Sequence, residues 1–159
     1  MMRNKLKTFM ILPKETKYIY LEAYIALMKG RLTKTQSNKH ILSSFGRPGS
    51  ETSVDEEVDK EAVLKVSHAI HTMADNAWWE SECLVKAAAA MTMLERRNLP
   101  VTLYLGTGKS EDGTFVAHAW TRCGRYYVTG AEGLDNYTVI MTYARDRAGK
   151  GENNETNAT

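Results

Sequence analysis

Two side chains in this sequence have the chemistry that acyl transfer needs: a thiol at Cys83 and, 35 residues on, an imidazole at His118. Cys83 follows Trp78-Trp79-Glu80-Ser81-Glu82 and opens a run rich in Ala, Leu, Met, Glu and Arg that reaches Arg97. Such a composition favours a helix, and Ser81 is placed to cap its start through the hydroxyl. The thiol then falls in the first helical turn, where unpaired N–H groups and the positive end of the helix dipole favour an anion. His118 stands in Val116-Ala117-His118-Ala119-Trp120, which alternates like a strand. Facing one another, the imidazole takes the thiol proton, the sulfur attacks a carbonyl carbon, and helix-start N–H groups hold the oxyanion. The Cys83 backbone and the Asn76 side chain are the candidate oxyanion donors.

The elements that must position this pair can be read in chain order. Residues 1–12 are a basic arm, and Pro13 suits the first position of a helix running to about Lys29, which Gly30 ends. Tyr20, Leu21, Ala23, Tyr24, Ile25, Leu27 and Met28 give this helix apolar residues on most sides, so it should be largely covered. A weaker helix covers Thr35 to Phe45, and Gly46-Arg47-Pro48-Gly49-Ser50 is a loop. Ser53 followed by Glu56 reads as a capping box for a helix from about Val54 to Ala74, with Val63, Val66, Ile70 and Met73 at helical spacing. Asp75-Asn76 breaks it. The Cys83 helix ends near Asn98-Leu99-Pro100, with Asn98 as its cap.

Beyond Pro100 the period changes to two. Val101 to Leu105, Thr114 to Arg122, Arg125 to Thr129 and Thr138 to Tyr143 read as strands. Helices first and an antiparallel sheet after make the fold class α+β. One domain spans 1–145, with N-terminal helices at about 13–45 and a catalytic core at about 54–145. Residues 146–159 lack apolar side chains and are expected to be a disordered tail.

A hairpin turning at Cys123-Gly124 pairs Arg122 with Arg125, Trp120 with Tyr127 and His118 with Thr129. Thr129 is then the neighbour of the imidazole, where an orienting carboxylate would serve best. The nearest downstream acids are Glu132 and Asp135, so Glu132 or Thr129 is the candidate orienting group. A slip of one residue puts Gly130 there, again without an acid. Trp78, Trp79 and Trp120 suit the walls of a water-excluding cleft, and equally a core. Cys123 sits in the turn with nothing to activate it. His68 and His71 are three apart, but nothing nearby completes a zinc set, so no metal is expected.

Composition narrows the partners. The chain has 159 residues, a formal charge of +2 and 43% hydrophobic residues, which suits one globular domain and gives no case for nucleic acid. Two cysteines are too few for a disulfide scaffold, no signal peptide stands out, and the apolar stretch from Tyr18 to Met28 is too short to span a bilayer. The expected location is the cytoplasm.

The motifs taken together are similar to a known family. Trp79-Glu80-Ser81-Glu82-Cys83-Leu84-Val85-Lys86-Ala87, Met93-Leu94-Glu95-Arg96-Arg97-Asn98-Leu99-Pro100, Leu103-Tyr104-Leu105-Gly106 and Ala117-His118-Ala119-Trp120 resemble the lasso-peptide maturation protease. That family is the transglutaminase-like leader peptidase, the protease half of a split lasso-peptide B protein. The resemblance is strong from Trp78 to Gly130 and looser over the helices before. It implies a transglutaminase-like or papain-like cysteine protease fold that removes the leader from a ribosomally made precursor. By motif the nucleophile falls on Cys83 and the base on His118, while the family's aspartate falls near Thr129, where this chain departs from the pattern. The resemblance also implies a separate small winged-helix leader-binding protein and an asparagine-synthetase-like cyclase as partners. ATP dependence is ascribed to the pathway, yet Gly106-Thr107-Gly108-Lys109-Ser110 lacks P-loop spacing, so no cofactor-binding motif is evident. Acyl transfer to an amine, and a catalytically inactive scaffold of the maturation complex, are the alternatives.

Overall fold

The structure, a computed structural model, describes residues 11–33, 45–79, 82–110 and 112–148. Three helices lead among these residues: α1 (Lys14–Thr33), α2 (Lys60–Asn76) and α3 (Cys83–Glu95), with the two-residue strand β1 (Arg47–Pro48) between the first two. Then come β2 (Val101–Lys109), β3 (Phe115–Cys123), β4 (Tyr126–Thr129), a single 3-10 turn at Leu134–Asn136, and β5 (Tyr137–Arg145). The strands form one antiparallel sheet in the order β1-β5-β2-β3-β4. The fold class is α+β, as expected. None of the described helices is long and apolar enough to cross a membrane.

Three helix expectations change. Gly30 does not end α1, which runs on to Thr33. Its missing side chain serves a helix crossing instead, since a Cβ there would lie 3.0 Å from the Val85 carbonyl oxygen of α3. Nor is α1 largely covered. Ala23, Ala26 and Leu27 are buried, while Tyr18, Leu21, Ile25, Met28 and Leu32 form an exposed stripe. The third change is at α2, which begins at Lys60, capped by the Asp59 carboxylate that accepts from Ala62 N at 3.1 Å. Ser53 opens no helix because its neighbours are committed to the sheet. Thr52 N and Oγ1 each lie 2.9 Å from Thr102 Oγ1, and the Thr52 carbonyl accepts from Arg122 at 2.9 Å.

Other boundaries follow the sequence. Asn98 adopts φ +52° after α3, with Leu99 N donating to Leu94 O at 3.0 Å and Asn98 N to Glu95 O at 2.8 Å, the paired bonds of a left-handed helix stop. Phe45 is buried edge-on against Tyr143 of β5, although the helix expected before it falls on residues 34–44, outside those described. Arg47 and Pro48, read as loop, add to the edge of β5. Most of the expected tail lies outside the described residues. Its first members are anchored: Asp146 pairs with Arg47 at 2.5 Å, and Ala148 N donates to Asn98 Oδ1 at 2.7 Å.

Alternation along the strands sorts the two sheet faces. Val101, Leu103, Ala119 and Cys123 join Val63, Val66 and Ile70 of α2 and Ala87, Ala90, Met93 and Leu94 of α3 in one core. The alanines of α3 let its backbone come close to β3, which suits Ala119 opposite. The other face carries Thr102, Tyr104, Trp120 and Arg122. There the buried Arg122 donates to Tyr104 Oη (2.9 Å), Gly124 O (2.7 Å), Thr52 O (2.9 Å) and Glu51 (3.3 Å).

Candidate functional site

Cys83 is the first residue of α3, half-buried beside the helix-layer core. Glu82 holds the cap position without a side-chain capping bond, and Ser81 lies outside the described residues. The earliest bond of the helix runs from Lys86 N to Glu82 O at 3.1 Å. The N–H groups of Cys83, Leu84 and Val85 precede it and have no intrahelical acceptor, the ordinary state of a helix start. An anion formed at or near the sulfur meets those donors first.

His118 is held on three sides. Its Nε2 lies 3.0 Å from the Gly130 carbonyl oxygen, and its ring stacks on Tyr137 (4.6 Å, 27°) and Trp120 (5.7 Å, 26°). A carbonyl can only accept, so the bond requires the proton on Nε2 and leaves Nδ1 as the basic nitrogen of the neutral ring. Gly130 has φ +68°, and a Cβ there would lie 3.2 Å from His118 Nε2 and 2.6 Å from Ala119 O. Glycine is what lets its backbone approach the imidazole so closely. The orienting acceptor is therefore a main-chain oxygen, which every residue possesses and no residue type announces.

The hairpin register differs from the expected one. Its two-residue loop is Gly124-Arg125, with Gly124 at φ +53°, so Cys123 pairs with Tyr126 and Arg122 with Tyr127. Glycine belongs at the first loop position because that position needs positive φ. An irregularity then brings Thr129 opposite Thr121, and the two buried hydroxyls bond at 2.9 Å. Thr129 is thus not the neighbour of the imidazole. Glu132 is exposed in the turn after Gly130, and the ring nitrogen bond goes to Gly130.

The expected facing of thiol and imidazole also changes. Cys83 and His118 share no hydrogen bond. His118 has the parity of Trp120 and Arg122, so its ring lies on the sheet face turned away from α3. Bulk decides this. The alanine-rich side of α3 accepts Ala119 beneath it, whereas the Trp120 indole needs the space over Gly106, where an added Cβ would come within 2.8 Å of the ring. His118 turns with Trp120. It also lies beyond β4, which pairs with β3 only at Thr121, Arg122 and Cys123.

The remaining candidates scatter. Trp79 is buried against Tyr24 of α1 at 5.3 Å and Trp78 is 85% exposed, while Trp120 stacks on Tyr104 at 5.4 Å on the far sheet face. The three tryptophans do not wall one cleft. Asn76 closes α2, its side-chain amide donating to Thr72 O at 2.7 Å. Cys123 is fully buried, and burial first of all pushes its thiol up to about 12, so it stays protonated. On α2, His68 sits 3.5 Å from Thr72 Oγ1 and beside Tyr20, at the groove between α1 and α2. Gly130, the neighbour of His118 under a one-residue slip, is met through its carbonyl and not a side chain, and Tyr137 is the contact that sequence reading missed. Tyr137 is reached only because β5 crosses back to pair with β2, a connection without a local signal.

A family model described as the transglutaminase-like superfamily matches residues 29–142, a window that takes in Cys83, His118 and Gly130. No curated protein and no solved structure matches the chain.

Proposed function

The chain belongs to the transglutaminase-like superfamily, and from that premise we propose that it is a cysteine peptidase that removes the leader from a ribosomally made peptide precursor of the lasso class. Cys83 is the nucleophile and His118 Nδ1 its base. The sulfur attacks the carbonyl carbon at the leader–core junction, and the α3 start donates N–H bonds to the oxyanion. The protonated imidazole then gives its proton to the departing amine, and water, deprotonated by the same nitrogen, releases the acid and frees the thiol. The Gly130 carbonyl takes the orienting place of the carboxylate, fixing the tautomer while adding no charge.

The observation that carries this reading is one window of family likeness holding both a thiol at a helix start and an imidazole with one nitrogen anchored and the other open. Catalytic bonds often tighten only when substrate is seated. The sequence motifs support the finer assignment to lasso-peptide maturation in the cytoplasm, with a winged-helix leader-binding protein and a cyclase as partners and no bound cofactor.

The test is cleavage of a precursor in the presence of a leader-binding partner. Cys83→Ala is expected to lose all cleavage with its circular dichroism spectrum unchanged; cleavage at the native rate ends the proposal. A second reading, an inactive scaffold, is favoured by the missing thiol–imidazole bond and the missing carboxylate. A thiol-reactive probe separates the two: an active pair labels Cys83 far faster than buried Cys123 at neutral pH, and equal rates favour the scaffold.

A further inference from the structure

We propose that the edge of β3 from Phe115 to His118, unpaired on its outer side among the described residues, is a strand-adding site for an extended, uncharged peptide segment, and that this is how the substrate is seated beside His118. The inference rests on the peptidase reading for the identity of its occupant. Its physical basis is independent of catalysis.

β3 runs nine residues and pairs with β2 along Phe115 to Arg122, but with β4 only at Thr121, Arg122 and Cys123. Along Phe115-Val116-Ala117-His118, short of Ala119 whose carbonyl Gly130 packs against, one side of the strand therefore has no main-chain partner among the described residues. Proteins usually blunt such an edge with lysine, proline, a bulge or very short length. The opposite edge of this sheet shows all but the first. β1 there is two residues long and contains Pro48, and β5 carries a register irregularity across from Leu105/Gly106. The free stretch of β3 has none of these. It carries no lysine, arginine, aspartate, glutamate or proline, its register with β2 is unbroken, and Phe115 is 74% exposed.

This short unprotected edge suits addition of one extended strand, with main-chain bonds giving affinity and alternate side chains giving selectivity. The neighbouring side chains, Phe115, Val116 and Ala117, set a preference for small or apolar residues, and Lys109, its ammonium 5.4 Å from the Phe115 ring centroid, disfavours cationic ones. His118 lies within the stretch, so a strand added here carries a peptide bond past the imidazole. Strand addition also orders a disordered precursor at the moment of binding, which suits a segment with no fold of its own.

The experiment uses the full chain carrying Cys83→Ala, so that binding is read without turnover. The probe is an end-capped heptapeptide of alternating valine and threonine, with a control peptide N-methylated at alternate backbone nitrogens. Amide exchange is followed by NMR. The unmodified peptide is expected to slow exchange of outward-facing amides within 115–118 by about tenfold or more, and the methylated one to leave them unchanged. Phe115→Lys with Ala117→Lys, checked for an intact fold by its spectrum, should abolish the protection. Absence of protection at millimolar peptide, equal protection by the methylated peptide, or protection confined to β5 overturns the proposal. Concentration-dependent protection without peptide assigns the edge to a second copy of this chain and equally overturns it. If the edge takes the peptide while the wild-type chain cleaves no precursor, the strand site stands and the peptidase reading falls.

Discussion

At the scale of single residues, the imidazole is organised by neighbours whose side chains have no acid–base role. Gly130 contributes an oxygen and the absence of a Cβ; Tyr137 and Trp120 contribute flat surfaces. Thr129, near which the resemblance to the maturation protease would put an aspartate, is engaged with Thr121 and 1% exposed. Restoring an acid there would not restore a triad. Thr129→Asp buries a carboxylate among neutral groups, at a cost of about 3–5 kcal/mol. For a chain of this size that lowers Tm by roughly 6–20 °C. Thermal unfolding followed by circular dichroism checks this, and a gain in precursor cleavage by the variant would show that position 129 does reach His118.

At the scale of elements, the site depends on how closely α3 is held between the sheet and α1. The α1–α3 crossing closes at Gly30 against the Val85 carbonyl, two residues after Cys83. Gly30→Ala sets a helix-propensity gain of about 1 kcal/mol against a contact that yields by a few tenths of an ångström, so its urea midpoint should move little. Gly30→Leu forces the helices apart and should cost about 1–3 kcal/mol, lowering the midpoint measurably. Equal midpoints for the two variants would show that the crossing is not close-packed. The Arg97–Glu22 pair, at 2.7 Å, ties the far end of the same helix region to α1. Burial works against the Glu22 carboxylate, but bonds and charge from Arg97, then Arg96, outweigh it and hold its pKa below the usual value. Its contribution is present at neutral pH and lost as pH falls through that lowered pKa.

For the whole molecule, the clearest pH dependence lies on the alkaline side. The Cys123 thiol, buried in the helix–sheet core, is raised from 9.0 to about 12 chiefly by burial. The native state thus keeps a proton that the unfolded chain has released. Stability from this group is complete below the unfolded value and declines as pH rises from about 9 toward about 12, by at most about 1.4 kcal/mol per pH unit. Tyr104, raised to about 12 by burial and by its bond to Glu51, adds a second decline that begins nearer 10. Between pH 9 and 10, Cys123→Ala should flatten the fall in urea midpoint seen for the wild type, whatever its effect at pH 7. Parallel curves would mean that the thiol is wetter than the fold implies.

What the sequence determined by itself was local or periodic. Cys83 at a helix start, the left-handed stop at Asn98, four strands in order and the α+β class follow from propensity, capping chemistry and a period of two, all carried within a few neighbouring residues. The tertiary structure decided what depends on volume and on distant chain. Gly30 became a crossing because α3 lies against it, and Ser53 lost its cap role because Thr52 is bonded to Thr102. The face of His118 was set by the fit of Trp120 over Gly106 and of Ala119 under α3. Strand alternation states which residues share a face, but only the packing of bulk against bulk chooses which face meets the helices.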